Sequence, residues 1–192
     1  MLAYDGGVPP VNLRRRAQLA DAAVALLASS GVHGVTHRAV DRLAGLPEGT
    51  AANYFRSREA LLVAAAERVI ELHQGDMAAA TPGSTATDLI AESLFTAATT
   101  HRDRYLAIFE LRLESLRRPA LAETLAGLAR EMVGFTAGHH AAMGLDIAPE
   151  AVPDLVALYG GALFTLVSAP PGEVTPEIAR GLAAAIVRSA AG

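Results

Sequence analysis

Apolar residues recur at every third or fourth position along most of this chain, and that spacing is typical of amphipathic α-helices. In the first such segment Leu19, Ala23 and Leu27 fall on one helical face, and Gly31 is well placed to end the helix. No segment alternates apolar and polar residues in the pattern of a half-buried strand. We therefore expect an all-α fold.

Proline and glycine divide the second half of the chain into further helices. The apolar periodicity predicts these helices at about 88–100, 102–116, 119–143, 150–169 and 176–190. A Thr-Pro-Glu sequence beginning at Thr175 gives the last of them an N-cap, a first-turn proline and a first-turn acid. The segment 78–87 is the candidate hinge between the two halves of the chain.

The segment GLPEGTAANYFRSREALL, residues 45–62, interrupts the helical pattern in a way that a core helix does not require. Thr36 is a natural N-cap for a short second helix that ends at Gly45, and Ser57 caps a longer fourth helix. Only a short third helix fits between them, over roughly 48–55. Three short helices with a glycine-marked turn predict a helix-turn-helix.

In a helix-turn-helix the first helix of the pair supports the second, whose N-terminal residues enter the DNA major groove. We expect the two helices to touch through residues that are apolar and mostly small: Val40, Ala44, Leu46 and Ala51. The third helix then presents polar and aromatic groups outward: Thr50, Asn53 and Tyr54. Asn53 has a side-chain amide suited to a base edge, adenine by geometry, whereas Phe55 is expected in the core.

The charge distribution indicates that the N-terminal third of the chain faces a polyanion, whereas the rest of the chain is acidic. The chain carries a net charge of −4. Residues 12–68 hold eight arginines against five acidic residues, which gives +3, whereas residues 69–192 hold eight arginines against fourteen acidic residues, which gives −6. All 16 basic residues are arginine, so every phosphate contact falls to a planar, bidentate donor.

Several functional classes receive no support from the sequence. The absence of cysteine excludes disulfide scaffolds, thiolate catalysis and cysteine-based zinc sites. The adjacent pair His139 and His140 cannot both face one site on a helix, and no catalytic set of residues stands out. We therefore expect no metal, no cofactor and no enzymatic activity. Neither a signal peptide nor a membrane span of ~20 apolar residues is evident, so we expect a cytoplasmic protein without a membrane partner.

Residues 31–62, GVHGVTHRAVDRLAGLPEGTAANYFRSREALL, resemble the DNA-binding module of TetR-family transcriptional regulators. The shared pattern is a glycine-rich turn, a capping threonine, Ala-Gly, Gly-Thr, Tyr-Phe, and a Ser-basic-acidic step into Leu-Leu. The resemblance implies a flexible N-terminal arm at 1–11, a DNA-binding domain at 12–57, and a helical domain at 58–192 that dimerises and binds a small effector. Because the C-terminal half is strongly apolar, we further expect a homodimeric repressor that a small apolar or amphipathic effector releases from a palindromic operator.

The resemblance also implies roles for particular residues near DNA. Thr36 and Arg38 would meet phosphate at the start of the second helix, and Thr50 would lie on the recognition helix. Arg58 occupies the family's usual lysine position and would hold backbone phosphate, while Tyr54 stands where a histidine is frequent.

The chain also departs from the family pattern at several positions. Pro47 replaces the usual serine cap of the third helix, so we expect that helix to begin through the fixed φ of proline. Ala52 and Asn53 replace bulky residues, and Asp41 stands where a small residue usually packs.

In the C-terminal half the last two helices are expected to form a four-helix interface across a twofold axis, through Tyr159, Gly160, Leu163, Val167 and Ile186. Candidate effector contacts are polar or aromatic residues within apolar helices: Tyr105, Phe109, Arg112, Phe135 and His139. Two alternatives remain open at this point: an architectural DNA-binding protein without an effector, and, with less support, an all-α enzyme.

Overall fold

The computed structural model describes residues 12–80, 85–170 and 172–190, and within these ranges the chain is helical and contains no strand. The helices are α1 (Leu13–Gly34), α2 (His37–Leu43), α3 (Thr50–Tyr54), α4 (Arg58–Ala78), α5 (Ala86–Ala98), α6 (Arg102–Ser115), α7 (Pro119–Ala142), α8 (Val152–Ser168) and α9 (Pro176–Ala190). The expected all-α fold is confirmed. The expected arm at 1–11 lies outside the described residues, as do residues 81–84 of the candidate hinge.

The helix boundaries follow the local signals in the sequence. Gly31 interrupts α1 with a φ of 62°, a backbone conformation that glycine adopts without strain. The side chains of Thr36, Ser57 and Thr175 accept backbone hydrogen bonds at the starts of α2, α4 and α9. Each of these caps was predicted from sequence, and each is confirmed.

Two clusters of buried apolar side chains hold the helices together. The first combines α1, α2, α3 and α4 with Ala107 and Leu111 of α6 and with Leu121 of α7. The second combines α5, α8 and α9 with Tyr105 of α6. Ile108 of α6 packs against both clusters. Helix α6 therefore lies between the helix-turn-helix and the C-terminal helices.

Candidate DNA-binding surface and effector cavity

Helices α2 and α3 pack against each other through small apolar side chains. Val40 and Ala51 are fully buried, and Ala44 and Leu46 are half-buried against the first cluster. Gly45, with a φ of 65°, lies in the turn between the helices. The predicted helix–helix contact is confirmed, and so is the burial of Phe55, which is 2% exposed.

A buried carboxylate holds the N-terminus of α3. Asp41 of α2 is only 2% exposed, and its two oxygens accept hydrogen bonds from the backbone N–H groups of Gly49 at 2.8 Å and Ala51 at 2.7 Å. Helix α3 itself has no side-chain N-cap. An acceptor from the neighbouring helix therefore satisfies two backbone donors that a serine cap would otherwise serve in part.

This arrangement corrects two expectations about α3. The helix covers Thr50–Tyr54 rather than 48–55, and Pro47 lies in the preceding turn instead of starting the helix. The reason is that Gly49 adopts a φ of 91°, outside helical geometry, and turns the chain so that its N–H meets Asp41. The unusual aspartate at position 41 thus replaces the missing cap.

The residues expected to contact DNA differ in their exposure and in whether their side chains already bind other residues of the chain. Thr36, Arg38 and Asn53 are exposed, and Arg38 forms an exposed ion pair with Glu48 at 3.2 Å. The hydroxyl of Thr50 donates to the carbonyl of Pro47 at 2.6 Å. Tyr54 is half-buried and packs against the first cluster, so it faces outward only in part.

Arg58 is less free than expected. Its Nε donates to the carbonyl of Val35 at 2.9 Å, and its Nη2 donates to the carbonyl of Val32. Both acceptors lie in the chain after the break at Gly31, at the end of α1 that leads into α2. The guanidinium therefore stabilises the turn between α1 and α2, and a phosphate contact from Arg58 remains a prediction. The neighbouring Arg56 is exposed, although no DNA contact was expected from it.

A cavity of about 450 Å³ lies among helices α4 to α8. Four of the five predicted effector residues line it: Tyr105, Phe109, Arg112 and His139. Phe135 does not line the cavity; its ring instead stacks parallel to that of His139, with centroids 6.3 Å apart. Spacing along α6 explains much of this agreement, because residues three or four positions apart share one helical face.

Two partly buried, hydrogen-bonded pairs form part of the cavity wall. His73 Nδ1 lies 2.7 Å from the hydroxyl of Tyr105, and the hydroxyls of Ser93 and Tyr159 lie 2.8 Å apart. Burial lowers the pKa of His73, raises the pKa of Tyr105 to about 12, and raises the pKa of Tyr159 as well. All three side chains are therefore neutral near pH 7.

His140 also lines the cavity, and its residue surface is only 7% exposed. Its Nδ1 is buried and has no hydrogen-bond partner among the described residues. Burial, followed by the nearby His139, lowers the pKa of the ring. The expectation that His139 and His140 cannot both face one site was wrong, because both line this cavity. Sequence reasoning also missed His73 and Ser93, since single polar residues on apolar helices give no signal of which side they face. No group of three metal-ligating side chains occurs within the described ranges.

The residues expected at a dimer interface face the interior of their own chain. Tyr159, Gly160 and Leu163 line the cavity, while Val167 and Ile186 are buried in the second cluster. The expectation was wrong because α8 is apolar on nearly every side, and its sequence does not distinguish the inner face from the outer one.

The outer face of α8 and α9 carries large apolar side chains: Leu158, Phe164 and Ile178 are 46%, 50% and 47% exposed. Gly161 and Gly181 are exposed on the same two helices, and a Cβ atom at either would meet nothing within 4 Å. By length and composition alone, Pro149–Ser168 is long and apolar enough to cross a membrane, a test that the core helix of a soluble protein also passes.

Two family models match the chain. The model described as "Bacterial regulatory proteins, tetR family" matches residues 19–65, and "Tetracyclin repressor-like, C-terminal domain" matches residues 80–191. No curated protein matches the chain.

Solved structures with similar folds cover nearly the whole chain. GusR of Salmonella enterica has a TM-score of 0.73 at 20% identity, covering 95% of this chain and 98% of its own. A TetR-family transcriptional regulator from Rhodococcus sp. has a TM-score of 0.75 at 24% identity, covering 93% and 99%. The multidrug binding protein EbrR, in complex with ethidium, has a TM-score of 0.67 at 29% identity, covering 91% and 99%.

Replacing Asp41 should destabilise the protein and weaken its binding to DNA. We expect Asp41→Ala to lower the free energy of unfolding by roughly 2–3 kcal/mol, because it leaves the backbone donors of Gly49 and of the buried Ala51 without their acceptor. Asp41→Asn keeps one acceptor oxygen and should lose less. Urea unfolding of both variants measures the effect, and equal stability of Asp41→Ala and the parent would contradict this role.

Acidification should destabilise the cavity region. His73 and His140 have folded pKa values below the ordinary histidine value of about 6.5, so below that pH the unfolded chain binds protons that the folded chain does not. Stability should therefore be complete above about pH 7 and fall as the pH is lowered toward about 5.5, where exposed carboxylates are still ionised. Thermal unfolding over this range measures the loss. His140→Leu should show a smaller loss, and a pH-independent midpoint would contradict the assignment.

Proposed function

This chain belongs to the TetR family of bacterial transcriptional regulators, and we propose that it is a homodimeric repressor that a small-molecule effector releases from a pseudo-palindromic DNA site. DNA binding and transcriptional regulation come with the family. The observation that carries the finer proposal is that α4 and α6 each reach both the helix-turn-helix and the cavity. We divide the chain into a DNA-binding domain at 12–57 and an effector and dimerisation domain at 58–192.

The DNA contacts are proposed from exposure and position. Thr36 and Arg38 at the start of α2 contact phosphate, and Asn53 on α3 contacts a base edge. Thr50 and Tyr54 adjoin the groove, although part of each side chain is committed to the fold. The phosphate contact of Arg58 is retained as a secondary one, because its guanidinium already binds two carbonyls.

The dimer is proposed to form through the outer face of α8 and α9. Only 28% of the apolar window within Pro149–Ser168 is buried inside the chain, and large apolar side chains on this face are about half exposed. The exposed Gly161 and Gly181 allow a second pair of helices to approach closely. A twofold axis through this face would place the recognition helices of the two subunits on two DNA half-sites, as the recognition of a palindrome requires.

An effector site is supported by the cavity and by its neighbours in structure. The structure of EbrR in complex with ethidium matches this chain at 29% identity, and the structure in complex with proflavin matches it at 27% identity. A volume of about 450 Å³ is within the range of small-molecule sites. We propose that this chain likewise binds a small organic molecule there.

The coupling between the two sites is proposed to run through α4 and α6. The first half of α4 places Leu61 and Leu62 in the core of the DNA-binding module, and its second half places Ile70 and His73 on the cavity. In α6, Tyr105 and its neighbours on one face line the cavity, whereas Ala107 and Leu111 pack against the first cluster. A ligand that shifts either helix would therefore change the setting of the recognition helices.

A charge on the outer face of α8 should abolish the dimer without unfolding the chain. Gly161→Glu has space for its side chain in the monomer, but it would place an unpaired carboxylate in the interface. Gly134→Glu, at another exposed glycine with open surroundings on α7, is the matched control. Light scattering should show a dimer for the parent and the control, and a monomer of 19.9 kDa for Gly161→Glu. A monomeric parent would refute the dimer.

Operator release is the test of the regulatory proposal. DNA sites selected from a random pool should be pseudo-palindromic, and small molecules that stabilise the protein should weaken binding to those sites. A compound at 100-fold its Kd should add ~2.7 kcal/mol to the free energy of unfolding. We expect such compounds to weaken operator binding at least tenfold in fluorescence anisotropy. If every stabilising compound leaves operator affinity unchanged, the protein is an effector-independent DNA binder.

A further inference from the structure

We propose that the cavity binds an uncharged, mainly apolar organic molecule that directs one hydrogen-bonding group toward His140. This inference rests on the effector site proposed above and adds the chemical class of its ligand. It follows from which polar and charged groups of the cavity wall already form hydrogen bonds or ion pairs within the chain.

Much of the cavity wall is apolar. Each of the five surrounding helices contributes large apolar side chains, among them Ile70, Ile90, Ile108, Met132 and Leu163. Phe109 is held in place by Phe164, whose ring meets it edge-on with centroids 5.0 Å apart. A wall of this kind favours a ligand with one or more apolar rings or chains.

The charged groups around the cavity offer no buried, unpaired charge to a ligand. Asp76 is bound to Arg104 at 2.5 Å and lies 3.9 Å from His101. Glu92 and Arg112 take part in none of the ion pairs between described residues, but both are exposed at the rim, where water screens them. An ionic group carried into the cavity would lose its hydration without gaining a buried counter-ion.

Four polar side chains of the wall are paired with one another. His73 binds Tyr105, and Ser93 binds Tyr159, so neither pair requires a ligand to complete it. Burial also favours the neutral form of His73 and of both tyrosines. This part of the wall therefore presents a neutral surface.

His140 differs from these groups because its buried Nδ1 lacks a partner in the described part of the chain. A neutral imidazole ring has one nitrogen that donates and one that accepts, so it can serve a ligand hydroxyl, amine or carbonyl. A ligand that reaches this nitrogen forms a hydrogen bond that no described residue supplies. His140 is therefore the polar anchor of the site.

Three fluorescent probes separate ligand classes. Phenylnaphthylamine is uncharged and has one N–H donor; anilinonaphthalenesulfonate has the same rings with an added anionic group; proflavin is a cation. We expect the full-length protein to bind phenylnaphthylamine at least tenfold more tightly than either charged probe. Tighter binding of the anion would indicate that Arg112 determines the ligand preference, and tighter binding of the cation would indicate that Glu92 does. Either result, or no binding of the uncharged probe, would overturn the proposal.

Two variants establish that the probe binds inside the cavity and through His140. Gly160→Leu directs a side chain into the cavity, where a Cβ atom meets only Arg112 Nη1 at 3.8 Å, and it should reduce binding of the uncharged probe. His140→Leu should weaken this binding about tenfold, which corresponds to the loss of one good hydrogen bond. Unchanged affinity in either variant would refute the corresponding assignment.

The role of His140 has a second signature that a purely structural residue would not give. Without ligand, His140→Leu should unfold at the same temperature as the parent or higher at pH 7.5 or above, because an unpartnered buried nitrogen has been removed. His140→Asn retains a polar group near the Nδ1 position and should restore part of the probe affinity. His139→Leu is the matched control at the neighbouring position. Equal loss of affinity in His139→Leu and His140→Leu would contradict the proposal.

These outcomes are distinguishable from a failure of the proposed function. If the uncharged probe binds as expected but never releases the protein from its operator, the regulatory proposal is wrong and the ligand class stands. If a charged compound fills the cavity and releases the operator, the ligand class is wrong and the regulatory proposal stands.

Discussion

The sharing of α6 between two apolar cores is the constraint on which the arrangement of the whole chain depends. Ala107 and Leu111 are buried against α1 and its neighbours, Tyr105 belongs to the C-terminal cluster, and Ile108 touches both. A helix enclosed in this way cannot move without repacking one core or the other, since protein interiors are close-packed. The same helix forms a wall of the cavity, and the proposed coupling between effector and DNA rests on this shared position.

The recognition helix depends on its neighbours in a comparable way. Five residues are too few to form a stable helix alone, and α3 has no cap of its own. Asp41 supplies the missing acceptors from α2, while Arg58 satisfies carbonyls in the turn that precedes α2. Hydrogen bonds from outside α3 therefore fix the position of this recognition helix. Arg58, which was expected to contact DNA, is partly used to stabilise the fold.

The C-terminal helices use their apolar surface on two sides. One side of α8 closes the cavity and the second core through Leu163 and Val167, and the other leaves Leu158 and Phe164 exposed. Within the cavity, internal pairing of Ser93 with Tyr159 and of His73 with Tyr105 removes most polar demand and leaves His140 with an unused hydrogen bond. The ligand class that we propose for the cavity rests on which polar groups of its wall remain unpaired.

The sequence by itself determined the all-α class, the helix caps at Thr36, Ser57 and Thr175, and the burial of Phe55, because helical periodicity and capping act over a few neighbouring residues. It also brought four effector candidates to one cavity, three of them through their shared face on α6. Only the tertiary structure decided which side of α8 faces inward, why Asp41 is tolerated at position 41, and where the guanidinium of Arg58 binds. Those features depend on contacts between residues distant in sequence, and an apolar or charged residue on a helix carries no record of which neighbour it will meet.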